Sequence, residues 1–116
     1  METTFTRALV DSIPLLVVSG ELDIATKDSF AAATARFLAE STAEVVIDLR
    51  AVPYMDSTAV SVLIGVGKTC RLAKRRLAIV RPAPNTPCSR IWELLQLDRV
   101  FASYDSVHDA SAELAR

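Results

Sequence analysis

Three short apolar runs set the frame of this sequence: PLLVVS at residues 14–19, VVIDL at 45–49 and LAIV at 77–80. Each is too short for an ordinary helix and rich in β-branched side chains. Near-continuous apolarity over so few residues marks a strand covered on both faces. The stretches between them carry helical spacing. Strands alternating with helices imply parallel pairs joined by right-handed crossovers, which confines the chain to the α/β class.

The remaining elements extend that frame. Residues 5–10 read as a strand, and Asp11-Ser12 supplies the turn chemistry that makes it a hairpin with the strand at 14–19. Residues 25–40 are alanine-rich, with Phe30, Thr34, Phe37 and Leu38 on one apolar face and Asp23 or Thr26 as the cap. Pro53 stops the ladder after the strand at 45–49, and Asp56-Ser57-Thr58 then opens a long helix to about residue 74. Its centre stripe is Val60, Leu63, Gly67 and Cys70. Val62, Val66 and Ala73 widen the apolar arc on one side and Ile64 on the other. Thr86-Pro87 starts a helix to about residue 96 that is expected to bury Ile91, Leu94 and Leu95. Residues 100–104 read as a last strand, and Ser106 with Asp109 forms a capping-box pattern for a final helix. The order is β-β-α-β-α-β-α-β-α: a mixed, mostly parallel sheet with an initial hairpin and about four helices. We read residues 1–116 as one domain.

Charge and cysteine content narrow the function. With 13 basic and 14 acidic residues the net charge is -1, which disfavours nucleic acid or an anionic membrane as the main partner. No apolar stretch is long enough to span a bilayer, and the start, Met1-Glu2-Thr3-Thr4, does not read as a signal peptide. Cys70 and Cys88 lie far apart and form no metal-ligand spacing, so a cytoplasmic protein with reduced thiols is expected.

Most chemical motifs dissolve on inspection. Gly67-Lys68-Thr69 lacks the glycine five residues earlier that a phosphate-binding loop needs, since Val62 stands there. The one imidazole, His108, sits in a helix-start turn beside Asp109 and reads as a solvated surface group. Arg71 with Lys74-Arg75-Arg76 reads as a cationic cluster favoured by the dipole at a helix C-terminus. Asp56-Ser57-Thr58 remains, at the start of a long helix just past a buried strand. Two readings stand there. These are three good capping residues, or Ser57 is a phosphate acceptor at a helix N-terminus, where free amides and the dipole tolerate negative charge.

Four stretches, Gly20-Glu21-Leu22-Asp23, Val46-Ile47-Asp48-Leu49, Met55-Asp56-Ser57-Thr58-Ala59 and Leu97-Asp98-Arg99-Val100-Phe101, stand in the order and spacing of a known family. The chain resembles the STAS domain proteins, and within them the anti-sigma factor antagonists. The resemblance implies the STAS fold and a partner switch without enzymatic activity. The unphosphorylated form would bind an anti-sigma factor serine kinase and free a sigma factor. Phosphorylation at Ser57, or less readily Thr58, would end binding, and a serine phosphatase would restore it. ATP and magnesium belong to the kinase, so no cofactor is expected here. The partner surface is expected to include Asp23, Asp56, Thr58, Ala59, Val62 and Val66, although Val62 and Val66 could instead pack on a neighbouring helix. Ala59 stands where the family has glycine, and alanine would be strained there if the position needed positive φ. Arg75-Arg76 stands where glycines usually precede the next strand, so that helix must close differently. Two alternatives share the fold: a STAS subunit docked on a transport ATPase complex, and a small-ligand or nucleotide sensor using the helix start at Ser57 as an anion site.

Overall fold

The computed structural model describes residues 2–41 and 43–116. Its elements are β1 (Thr4–Val10), β2 (Ile13–Ser19), α1 (Lys27–Ala39), β3 (Val45–Ala51), α2 (Ser57–Leu72), β4 (Leu77–Val80), α3 (Pro87–Leu94), a 3-10 turn (Leu97–Arg99), β5 (Ala102–Tyr104) and α4 (Val107–Leu114). The strands lie in sequence order, β1-β2-β3-β4-β5. β1 and β2 are antiparallel, and every later neighbour is parallel. This is the mixed sheet expected from the sequence. Asp11 and Ser12 both take positive φ, 49° and 68°, as a two-residue hairpin with the right-handed strand twist requires.

The central strands feed two cores, which explains their continuous apolarity. Leu16, Val18, Val45, Ile47, Leu49 and Ile79 face one way, onto Phe30, Phe37, Leu63, Cys70 and Trp92 of α1, α2 and α3. Leu15, Val46, Ala78 and Val80 face the other way, onto Ala110 and Leu114 of α4. The period-2 alternation of side chains thus supplies both layers from one run of sequence. α4 is also tied to the hairpin, because the buried Ser111 hydroxyl donates to Asp11 Oδ2 at 2.6 Å.

Three local expectations are corrected. Leu94 and Leu95 are 71% and 50% exposed, because α3 ends at Leu94 and the chain reverses through Gln96, whose φ of 52° is left-handed. Val100 lies outside the last strand and is 50% exposed; Leu97 and Phe101 fill the core around it. In α4 the Ser106 hydroxyl accepts the Asp109 amide, which is half of a capping box. The complete box belongs to α3, between Thr86 and Ser89.

The end of α2 closes without glycine. Lys74 adopts φ 56°, the Arg75 amide donates to the Cys70 carbonyl at 2.7 Å and the Lys74 amide to Arg71 at 3.1 Å, the paired bonds of a Schellman ending. The two arginines that follow serve other helices. Arg75 donates to the carbonyls of Leu38 (2.7 Å) and Ala43 (3.1 Å) and to Ser41 Oγ, in the last turn of α1 and just past it. Arg76 donates to the carbonyls of Glu113, Leu114 and Arg116 at the end of α4. Arg75 and Arg76 therefore clasp the ends of other helices, while Arg71 lies in the last turn of α2, as the dipole reading expects.

Candidate functional site

The carboxyl ends of β2 and β3 release two loops that are stitched together. Gly20 leaves β2 at φ 103°, where a Cβ would stand 2.8 Å from Thr3 Cα, so only glycine fits. Beyond it, Leu22 and Met55, both fully buried, form a parallel bridge. The Leu22 amide donates to the Tyr54 carbonyl (3.0 Å) and the Asp56 amide to the Leu22 carbonyl (3.1 Å). This clamp delivers the chain to the first turn of α2 with its orientation set.

The three residues at that helix start have different tasks. Asp56 is the N-cap, with extended backbone (φ -107°, ψ -177°). Its Oδ1 accepts the amides of Thr58 (3.0 Å) and Ala59 (3.2 Å), and its Oδ2 accepts the amide of Ile24 (3.1 Å). Thr58 turns its hydroxyl back onto the same carboxylate. Ser57, the first residue of α2, is exposed and takes no part in the cap. The Thr58 hydroxyl foremost, helped by the amides of Ala59, Thr58 and Ile24, holds the Asp56 carboxyl below the usual carboxylate range; burial, the second-largest influence, pushes the other way and is outweighed. A full negative charge therefore sits beside the Ser57 hydroxyl at neutral pH.

Asp23 stands on the facing loop. Its Oδ1 accepts the amides of Ala25 (3.0 Å) and Thr26 (3.2 Å), and its own amide donates to Thr26 Oγ1. Both cap candidates for α1 are thus engaged in one turn, although Thr26 is the N-cap by backbone position and makes no side-chain cap bond.

The other expected site residues divide. Ala59 is fully buried and keeps an ordinary helical backbone, so alanine is unstrained here, and its side chain offers a partner no surface. Val66 is buried at 6% exposure and Val62 half-buried. Both line a shallow apolar groove of about 560 Å³ between α1 and α2, with Ala31, Thr34, Ala35 and Leu38 opposite. Val66 thus takes the helix-packing role, and Val62 keeps part of its surface. Two exposed apolar side chains that sequence reading did not single out stand on the stitched loops: Ile24, 72% exposed, and Tyr54, 40% exposed. Their signal was a large apolar side chain inside each of two turn-like segments.

Both cysteines are free and buried, and burial raises both thiols, Cys88 to about 12. His108 is exposed on α4. Among the described residues no cluster of His, Cys, Asp and Glu could hold a metal ion, and no helix is long and apolar enough to cross a membrane. The start of α2 is also ill-suited to a free anion, because Asp56 already occupies its amides with a carboxylate.

Comparison with known proteins agrees with this architecture. A family model for the STAS domain matches residues 6–110. A candidate anti-sigma factor antagonist of Thermotoga maritima is 25% identical, with a TM-score of 0.84 over 97% of this chain and 95% of its own. An anti-sigma factor antagonist of Mycobacterium paratuberculosis is 26% identical, with a TM-score of 0.81 over 99% and 96%. The antagonist SpoIIAA in its unphosphorylated form shares the fold at 17% identity and a TM-score of 0.68, over 97% and 98%. No curated protein shows a significant sequence match.

Proposed function

Because the chain belongs to the STAS domain family, we propose that it is a phosphorylation-controlled anti-sigma factor antagonist. It is a non-enzymatic, cytoplasmic regulator whose unphosphorylated form binds an anti-sigma factor serine kinase and frees a sigma factor. The observation that carries this reading is the division of labour at α2. Asp56 does the capping, and the exposed Ser57 has no hydrogen-bond partner for its hydroxyl among the described residues; the resemblance matches Ser57 to the family's phosphorylated serine. The simpler account, three capping residues in a row, leaves Ser57 without a task.

Phosphoserine carries about -1.5 to -2 charges near neutral pH. At Ser57 those charges would face the ionised Asp56 carboxylate, with the amides of Thr58 and Ala59 already taken. The phosphoryl group is then held out toward solvent and toward any docked partner. Each ~1.4 kcal/mol of repulsion or desolvation weakens binding tenfold, so the modification releases the partner in proportion to that cost. A serine phosphatase resets the chain, and ATP and magnesium act in the kinase.

The test is an affinity capture from the source organism, with wild type and Ser57→Asp as parallel baits and partners identified by mass. Capture of an ATPase-type kinase by wild type, lost with Ser57→Asp, supports the switch. The same transport complex on both baits would replace it with a constitutive subunit.

A further inference from the structure

We propose that Ile24 and Tyr54 are the apolar anchors by which this chain holds its kinase, and that the Asp56 carboxylate is the clamp that sets them around Ser57. The inference rests on the function proposed above and names its contact residues.

Exposure alone does not single the pair out. Ile24 is 72% exposed and Tyr54 40%, but Leu9, Leu72 and Leu94 are exposed at 71%, 76% and 71%. Isolated apolar side chains on a surface are ordinary. What distinguishes Ile24 and Tyr54 is how they are held and what they flank. Tyr54 precedes the buried Met55, and its carbonyl accepts the Leu22 amide. Ile24 follows Asp23, whose carboxylate pins the next two amides, and its own amide is bonded to Asp56 Oδ2. The other oxygen of that carboxylate holds the first turn of α2. One side chain thus joins the Ile24 loop to the helix that carries Ser57.

Bulky apolar side chains on backbone that is already fixed lose little further freedom on binding. A few such anchors, ringed by weaker contacts, carry most of the affinity of a typical interface. The partner's chemistry follows: an apolar recess for Ile24, a flat apolar or cationic face for the Tyr54 ring, and hydrogen-bond donors toward Asp56 and the Ser57 hydroxyl. A phosphoryl group on Ser57 would enter this small area, so the residues that give affinity and the residue that removes it are neighbours.

The experiment titrates wild type, Ile24→Ala, Tyr54→Ala and Leu72→Ala calorimetrically against each purified ATPase-type anti-sigma factor of the source organism. ATP-dependent phosphate incorporation at Ser57 is read by mass in parallel. Ile24 and Leu72 are largely exposed and Tyr54 is 40% exposed, so thermal unfolding of each variant is recorded first and only variants that fold as wild type are titrated. With the anti-sigma factor that modifies Ser57, Ile24→Ala and Tyr54→Ala should each raise Kd about tenfold or more, and Leu72→Ala should leave it unchanged. If that partner binds the Ile24 and Tyr54 variants as tightly as wild type, the anchors are wrong and the switch stands. If no anti-sigma factor binds wild type or modifies Ser57, the switch itself falls, and the anchors with it.

Discussion

Removing the Asp56 carboxylate deprives the amides of Ile24, Thr58 and Ala59 of their acceptor, and the Thr58 hydroxyl of its partner. Asp56→Ala should therefore cost about 1–2 kcal/mol of stability, the usual range for a lost N-cap, read from urea unfolding. Ser57→Ala and Ser57→Asp, at a side chain outside the cap, should stay within about 0.5 kcal/mol of wild type. Equal losses at the two positions would return Ser57 to structural duty. The pH dependence has a defined sign. The folded-state pKa of Asp56 is lowered, so its contribution is fully present above the ordinary carboxylate pKa and is lost as pH falls through the lower folded value. Wild type should thus lose part of its margin over Asp56→Asn on acidification below about pH 4. The site was legible in part. Asp, Ser and Thr all carry an oxygen of similar reach, so composition alone could not say which of the three caps the helix; the extended backbone at Asp56 does. Ala59 and Val66 are drawn inward because α2 packs on the sheet and on α1 at once; the wide apolar arc allowed a second helix beside Val66 but could not tell that helix from a partner.

At the scale of elements, α2 presents two glycines in opposite surroundings. A Cβ at Gly67 would lie 2.9 Å from Phe101 Cε1, whose ring is itself stacked on Trp92 at 5.9 Å, whereas a Cβ at Gly65 meets nothing within 4 Å. Gly65→Ala should stabilise by about 0.5–1 kcal/mol through helix propensity. Gly67→Ala gains the same propensity but must displace a packed aromatic ring, and should be net destabilising by about 1–2 kcal/mol. Thermal unfolding of the two variants decides it: a common gain would mean that Phe101 yields freely. Arg75 makes a parallel case. Its guanidinium bonds the Leu38 carbonyl in the last turn of α1 and, just past it, the Ala43 carbonyl and the Ser41 hydroxyl, so Arg75→Ala should cost about 1.5–3 kcal/mol. These devices mark where sequence reading stops. Apolar runs and cap residues located every strand and helix, because they record burial and chain entry directly. Leu94, Leu95 and Val100 were misread because their apolarity fits helix and strand periods, while the left-handed Gln96 that turns them outward carries no sequence mark as plain as glycine.

Across the whole molecule, a charge placed on Ser57 would be mechanically remote from most of the fold. The sheet is enclosed by two cores, with α1, α2 and α3 on one face and α4 on the other. Close-packed interiors resist small rearrangements. The bonds of the Asp56 carboxylate run to Ile24 and the first turn of α2, beside the Leu22–Met55 bridge; from the same loop the Pro53 carbonyl accepts the Cys88 amide of α3 at 2.9 Å. A phosphoryl group therefore has a short charged path into the two loops, and α3 is reached through a neutral backbone bond three residues before Asp56. The switch should act by altering the surface a partner meets, not by refolding the chain. Amide shifts of Ser57→Glu against wild type, recorded by heteronuclear NMR, should be confined to residues 22–26 and 54–60, around the stitched loops and the first turn of α2. Ile24 and Ala59 should be prominent among them, since their amides share the carboxylate nearest the new charge. Shifts extending through β4, α3 and α4 would show that the cores have a second packing and that the partner reads a change of shape instead of a change of charge.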